Sequence, residues 1–216
     1  MPLKVVPRRD RKLNRLIKKG ENLHLRRGER LYCPGDRGSE LFLVRTGQIH
    51  LTTEDGGKKE RVAGIIGPWE MAGEEGLVPD TVRRTGARAG EDSLVIPLDG
   101  SDVNRAFRTS SKTYGAFLAA KEEELALARA LRGPKRAGGT ARHLGALLLH
   151  LSDRLGRADN GEGVKLSILF PHRVLADLAG CHRSTDTTIL NDWIYDGVLT
   201  QEDGLLRILD PRSLAG

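Results

Sequence analysis

The hydrophobic pattern changes period near residue 110, and that change divides the chain. Up to about residue 109 the apolar residues come in short runs suited to strands: Leu41-Phe42-Leu43-Val44, Gln48-Ile49-His50-Leu51, Val62 to Ile66, and Leu94-Val95-Ile96. Between them lie Pro34-Gly35-Asp36, Thr46-Gly47, Glu54-Asp55-Gly56-Gly57 and Ala89-Gly90-Glu91-Asp92. Such clusters of Gly, Pro and Asp mark turns. Short, regularly spaced strands with Gly-rich turns predict a barrel or sandwich over residues 21–109. Asp55-Gly56-Gly57 reads as a hairpin turn, because glycine takes a positive φ without a Cβ clash.

From residue 110 the period becomes helical. Tyr114, Phe117, Leu118, Leu125, Ala128 and Leu131 recur at helical spacing between Ser110-Ser111 and Gly133-Pro134, which predicts one long helix over 110–134. Its apolar stripe has little of the chain left to cover it. A second copy would bury Tyr114, Phe117, Leu118, Leu125 and Ala128 as a dimer seam; packing on the β domain is the alternative.

Residues 135–216 predict a small α-rich unit. Leu144, Leu147, Leu148, Leu151 and Leu155 share one helix face. A polar loop from Ala158 to Gly163 and an apolar, strand-like run from Val164 to Phe170 follow. Two short helices, Pro171 to Ala179 and Arg183 to Tyr195, flank Gly180-Cys181-His182, with Gly180 suited to a left-handed C-cap. Val198-Leu199 and Leu205-Leu206-Arg207-Ile208 around Glu202-Asp203-Gly204 then make a hairpin. Helix, Gly turn, helix and hairpin in this order spell a winged helix-turn-helix.

The net charge of +6 is unevenly placed. Residues 1–20 hold Lys4, Arg8, Arg9, Arg11, Lys12, Arg15, Lys18 and Lys19 against Asp10 alone, so everything after residue 20 sums to −1. The basic excess therefore reads as a solvated N-terminal segment or a phosphate-touching arm. No apolar run reaches the ~20 residues of a membrane helix, and no apolar stretch follows the basic N-terminus as in a secretory signal. Cys33 and Cys181 lie too far apart in sequence for a metal knuckle. The expected setting is the cytoplasm, with no membrane partner.

Taken in order, these motifs carry a family resemblance over nearly the whole chain. Gly28-Glu29-Arg30-Leu31-Tyr32-Cys33-Pro34-Gly35-Asp36, then Leu41 to Val44 and Gly47 to Leu51, resemble the cyclic-nucleotide-binding β-roll. Gly73-Glu74-Glu75-Gly76-Leu77 and Arg83-Arg84-Thr85 resemble its phosphate-binding cassette. With the long helix and Gly180-Cys181-His182-Arg183-Ser184-Thr185 in a helix-turn-helix, the chain resembles the CRP/FNR superfamily of bacterial transcription regulators. The resemblance implies an α+β architecture: an N-terminal double-stranded β-helix (jelly-roll-like) domain, a dimerisation helix and a C-terminal winged helix-turn-helix. It also implies a homodimer on a two-fold operator in double-stranded DNA, with RNA polymerase as a partner.

At the DNA-reading end, Arg183 opens the second helix, where it can donate bidentately to guanine O6 and N7. Ser184, Thr185, Thr187 and Thr188 offer hydroxyls, Asn191 lies one turn on, and His172 and Arg173 are placed for phosphate. Ser184 and Thr188 replace the family's Glu and second Arg, so a different half-site is expected. Asp186 stands where the family prefers an apolar residue.

At the ligand end, the resemblance puts Glu74 on a ribose hydroxyl and Arg83 on a cyclic phosphate, with Gly73, Arg84 and Thr85 around them. Arg84 replaces a Ser, the segment from Glu74 to Arg83 is one residue short, and Leu125-Ala126-Leu127-Ala128 offers a purine no hydroxyl. The expectation is therefore operator binding without a cyclic AMP requirement and with no required cofactor; another anionic effector remains open. The alternatives are a cyclic-nucleotide-dependent regulator, or a ligand-binding module that acts through a protein partner. The six histidines are scattered without metal spacing. No nucleophile–base pattern or P-loop occurs, so no catalytic residue and no enzyme is expected.

Overall fold

The computed structural model describes residues 11–55, 59–132, 139–158, 163–166 and 169–215. Residues 1–10 of the basic segment, Gly56 and Gly57 of the expected hairpin turn, and the helix stop at Gly133-Pro134 lie outside the described residues. The chain divides into two compact units, one within Leu3–Lys121 and one within Glu122–Gly216.

The first unit opens with a helix, α1 (Arg11–Lys19), followed by β1 (Leu23–Leu25), β2 (Arg30–Tyr32), β3 (Glu40–Thr46), β4 (Ile49–Asp55), β5 (Lys59–Ile66), β6 (Met71–Ala72), β7 (Gly86–Ala89) and β8 (Ser93–Asp99). The strands form two antiparallel four-stranded sheets, in the orders β1-β8-β3-β6 and β2-β7-β4-β5. This is the expected sandwich. Strand β3 is buried on both faces, which is why it reads as an unbroken apolar run. Phe42 and Val44 turn to a core shared with Tyr32, Ile49, Ile66, Ala87 and Val95. Leu41 and Leu43 turn the other way, to Leu13, Ile17, Ile96, Phe107 and Phe117.

That second core lies between the sheet and helices, and α1 supplies two members that the sequence reading did not place there. The segment 1–20 reads in sequence as a solvated segment or a phosphate-touching arm, but α1 inserts Leu13 and Ile17 into the core, while Arg15, Lys18 and Lys19 stay exposed. The basic residues masked an amphipathic helix. The β structure also stops at Asp99 rather than at 109, because Asp99 accepts hydrogen bonds from the amides of Ser101 and Asp102 and caps α2 (Gly100–Thr109). After Ser110 the long helix α3 (Ser111–Arg132) begins.

The second unit holds α4 (Gly139–Leu155), β9 (Gly156–Ala158), β10 (Val164–Leu166), α5 (His172–Ala179), α6 (Arg183–Tyr195), β11 (Leu199–Glu202), β12 (Leu205–Ile208) and α7 (Pro211–Ala215). Leu144, Leu147, Leu148, Leu151 and Leu155 are all buried. The wing is larger than the sequence suggested: β9 and β10 pair, and the sheet runs β11-β12-β10-β9. Asp203 and Gly204, both at positive φ, make the two-residue turn between β11 and β12. Residues 159–162 and 167–168 of the expected loop and strand lie outside the described residues.

Candidate DNA-reading helix and ligand cassette

Helices α5 and α6 are joined by a three-residue turn that glycine makes possible. Gly180 sits at φ 64°, ψ 39°, and its amide and that of Cys181 close on carbonyls of the last turn of α5. The chain then re-enters a helix at Arg183. In α6 only Asp186 and Leu190 are buried. Arg183, Ser184, Thr185, Thr188 and Asn191 are exposed, as is Arg173 on α5.

Two of the expected hydroxyl contacts are already engaged. Thr187 Oγ1 donates to the Arg183 carbonyl at 2.9 Å, and Thr188 Oγ1 to the Ser184 carbonyl at 3.0 Å. Each hydroxyl proton is committed to the helix backbone, which leaves these oxygens only acceptor capacity. Thr187 is also half-buried. His172, expected at a phosphate, also meets a side chain of its own unit: Nδ1 lies 3.1 Å from Asp186 Oδ2. Burial raises the Asp186 carboxyl, and the hydrogen bond and charge of His172 pull it back down. Sequence reasoning saw Asp186 only as a misfit in an apolar slot; the signal it missed was a histidine at the head of the preceding helix.

In the cassette, Gly73 sits at φ 80° and starts a 3₁₀ turn, Glu74–Leu77. Glu74 Oε1 pairs with Lys121 Nζ on α3 at 2.9 Å. Glu75 receives the Arg84 amide at 3.3 Å and lies 3.6 Å from Arg83. Arg84 is exposed, and Thr85 is half-buried. Arg83, expected to meet a ligand phosphate, is only 3% exposed. It donates to the carbonyls of Gly73 at 2.8 Å and Glu40 at 2.6 Å, over the Tyr32 and Phe42 rings. A Cβ at Gly38 or Gly73 would strike the guanidinium, so both glycines make room for it.

Along α3, Tyr114, Leu118 and Leu125 are 45–47% exposed, and Ala128 is half-buried. Phe117 departs from the seam expected of it. It is buried in its own chain, its ring centroid 5.1 Å from that of Phe107, because α2 delivers Phe107 beneath the first turns of α3.

Among the described residues no cluster of three or more His, Cys, Asp or Glu side chains is placed to hold a metal. No described helix is long and apolar enough to cross a membrane.

Comparison with known proteins agrees with this architecture. The cyclic nucleotide-binding domain family matches residues 22–110, and the Crp-like helix-turn-helix domain family matches residues 142–216. A cyclic AMP receptor protein of Thermus thermophilus is 28% identical over 190 residues, spanning 87% of this chain and 83% of the relative. The structure of FixK2 from Bradyrhizobium japonicum superposes with a TM-score of 0.72 at 19% identity, over 90% of this chain and 95% of that one. The c-di-GMP responsive global regulator CLP of Xanthomonas campestris gives a TM-score of 0.63 at 21% identity, over 91% and 97% of the two chains. With both domains matched in this order, the chain belongs to the CRP/FNR family of transcription regulators.

Proposed function

We propose that this regulator binds a two-fold operator in double-stranded DNA as a cytoplasmic homodimer, acts on RNA polymerase there, and needs no cyclic AMP to bind. The observation that carries the DNA reading is the first half of α6. Its buried anchors, Asp186 and Leu190, leave Arg183, Ser184, Thr185, Thr188 and Asn191 exposed on the remaining surface. Arginine at the first helical position is the side chain best matched to a guanine edge in the major groove. Exposed Tyr114, Leu118 and Leu125 support the homodimer, since large apolar side chains spaced four and seven residues apart on a helix favour a partner helix.

Independence from cyclic AMP rests on Arg83. A ligand phosphate would have to draw this guanidinium away from two carbonyls, Glu75 and the Tyr32 ring. A ligand shifts a conformational equilibrium only by its differential affinity for the two states. The relatives differ in the ligand their names carry, cyclic AMP in one and c-di-GMP in another, so the fold does not dictate one effector. The match of residues 22–110 to the nucleotide-binding family favours the second reading, a cyclic-nucleotide-dependent regulator.

The deciding experiment selects bound fragments from genomic DNA with the apo-protein. The selected operator is then titrated with and without millimolar cyclic AMP over a range of salt. Binding that weakens steeply with salt and is unchanged by the nucleotide is expected. A tenfold gain with cyclic AMP would establish the second reading. Failure to retain any fragment would turn the reading toward action through a protein partner.

A further inference from the structure

Asp186 has no exposed surface, yet among the described residues its Oδ1 has no hydrogen-bond partner. Its Oδ2 faces Nδ1 of His172, the first residue of α5, and Thr187 Oγ1 lies 3.4 Å from the same nitrogen. A buried carboxylate with one lone oxygen is a costly choice for a slot that an apolar side chain fills well. The pair joins the first turn of α6 to the head of α5, beside the residues argued above to meet DNA.

We infer that His172 and Asp186 are a positioning pair for the recognition helix, and that operator binding is coupled to proton uptake at this pair. The inference rests on the DNA-binding reading for its location. Two effects act in the same direction. Protonation relieves a desolvated charge inside the unit, and it removes a negative charge next to a surface that must approach phosphates. By linkage, a polyanion that favours the protonated pair binds more tightly as the pH falls.

The titratable and charged groups on the elements packed against this turn are His172, Arg173 and Asp177 on α5, and Glu202 on β11. His182, Arg183 and Asp192 belong to the turn and to α6 itself. Of these, His172 alone acts on Asp186. Burial outweighs the hydrogen bond and charge of His172 and leaves the carboxyl raised from 3.8 to about 6. A carboxyl raised on folding lends stability that is complete below its unfolded value and is lost as the pH rises through its folded one. Relative to Asp186→Asn, which keeps an acceptor for His172 without the charge, the wild-type protein therefore loses stability between about pH 4 and 7.

The test measures affinity of the full-length protein for its selected operator at pH 7.5 and 5.5, beside three variants. Wild type is expected to bind at least threefold tighter at pH 5.5. Asp186→Asn is expected to bind at pH 7.5 as tightly as wild type does at 5.5, with most of the pH dependence gone. An unchanged dependence in that variant would overturn the coupling, because the pH dependence would then arise outside the Asp186 carboxyl. Asp186→Ala removes the acceptor, so it should bind more weakly than Asp186→Asn at both pH values while folded by circular dichroism. Equal affinity of the two would overturn the positioning role. His172→Phe strands the carboxylate and should weaken binding at pH 7.5 but recover it at 5.5; binding like wild type at both would also overturn the pair.

Thermal melting from pH 4 to 7.5 supplies a readout without DNA. A wild-type melting temperature that falls relative to Asp186→Asn supports the proton linkage even if no operator is found, and a constant difference overturns it. Absence of DNA binding in every chain would sink the DNA reading instead.

Discussion

The guanidinium of Arg83 lies 4.5 Å above the centre of the Tyr32 ring, held there by the carbonyls of Gly73 and Glu40. The residue that sequence reasoning gave to a ligand is thus part of the β unit's own interior. Replacing it with alanine would leave two carbonyls and Glu75 without their cation.

Arg83→Ala is therefore expected to cost roughly 2–4 kcal/mol of stability in the first unit, as losses of buried charge-assisted bonds do. Arg83→Lys should recover little, because an ammonium cannot bridge both carbonyls while stacking on a ring. Denaturant unfolding followed by Trp69 fluorescence in a Trp193→Phe background measures this. An Arg83→Ala protein as stable as the parent would show that the residue is free for a ligand after all.

Phe117 and Leu125, both on α3, should separate cleanly. Phe117→Ala empties a buried site beside Phe107 and should cost about 3–5 kcal/mol of folding stability. Leu125→Glu, on the exposed side, should leave folding nearly intact and yield monomers with weakened operator binding, since half-sites one helical turn apart require both subunits. Light scattering decides between them; a dimeric Leu125→Glu protein would place the seam elsewhere.

Arg183→Ala is expected to lose ~1–3 kcal/mol on the operator and to relax the preference at one base position. Competition with scrambled duplex tests this. If random DNA weakens as much as the operator does, Arg183 contacts phosphate rather than a base edge.

His50 provides a pH prediction of opposite sign to that of Asp186. Burial first, then the charges of Arg88 and Arg27, lower its imidazole to about 4, and a Cβ at Gly90 would collide with its ring. A histidine lowered on folding lends stability that is present above its unfolded value and lost as the pH falls through its folded one. The first unit should therefore lose on the order of 2–3 kcal/mol between about pH 6.5 and 4. His50→Leu should flatten that slope in the Trp69 signal, and an unchanged slope would assign the acid loss to other groups.

Leu13→Ala is expected to destabilise the first unit by about 2–4 kcal/mol, whereas Arg15→Gln, Lys18→Gln and Lys19→Gln together should leave its melting unchanged. Equal behaviour of the two variants would return α1 to the status of a solvated arm.

Short-range pattern was legible in the sequence. Runs such as Leu41 to Val44 between Gly turns specify strands. The leucines from Leu144 to Leu155 specify one buried helix face, and Gly180 specifies where α5 must end, because few residues other than glycine accept its left-handed conformation. Motif order along the chain was enough to suggest the family. Partner choice among side chains was decided only by the tertiary structure, because it depends on residues far apart in sequence. Arg83 is claimed by the Glu40 carbonyl 43 residues away, and Phe117 by a ring that α2 brings beneath it. Leu13 and Ile17 lie in a segment whose charge density suggested solvent, yet a packed core selects by the apolar face of a helix and is indifferent to the charge on the other side. Asp186 followed the same logic: in sequence it broke an apolar pattern, and in space it met His172.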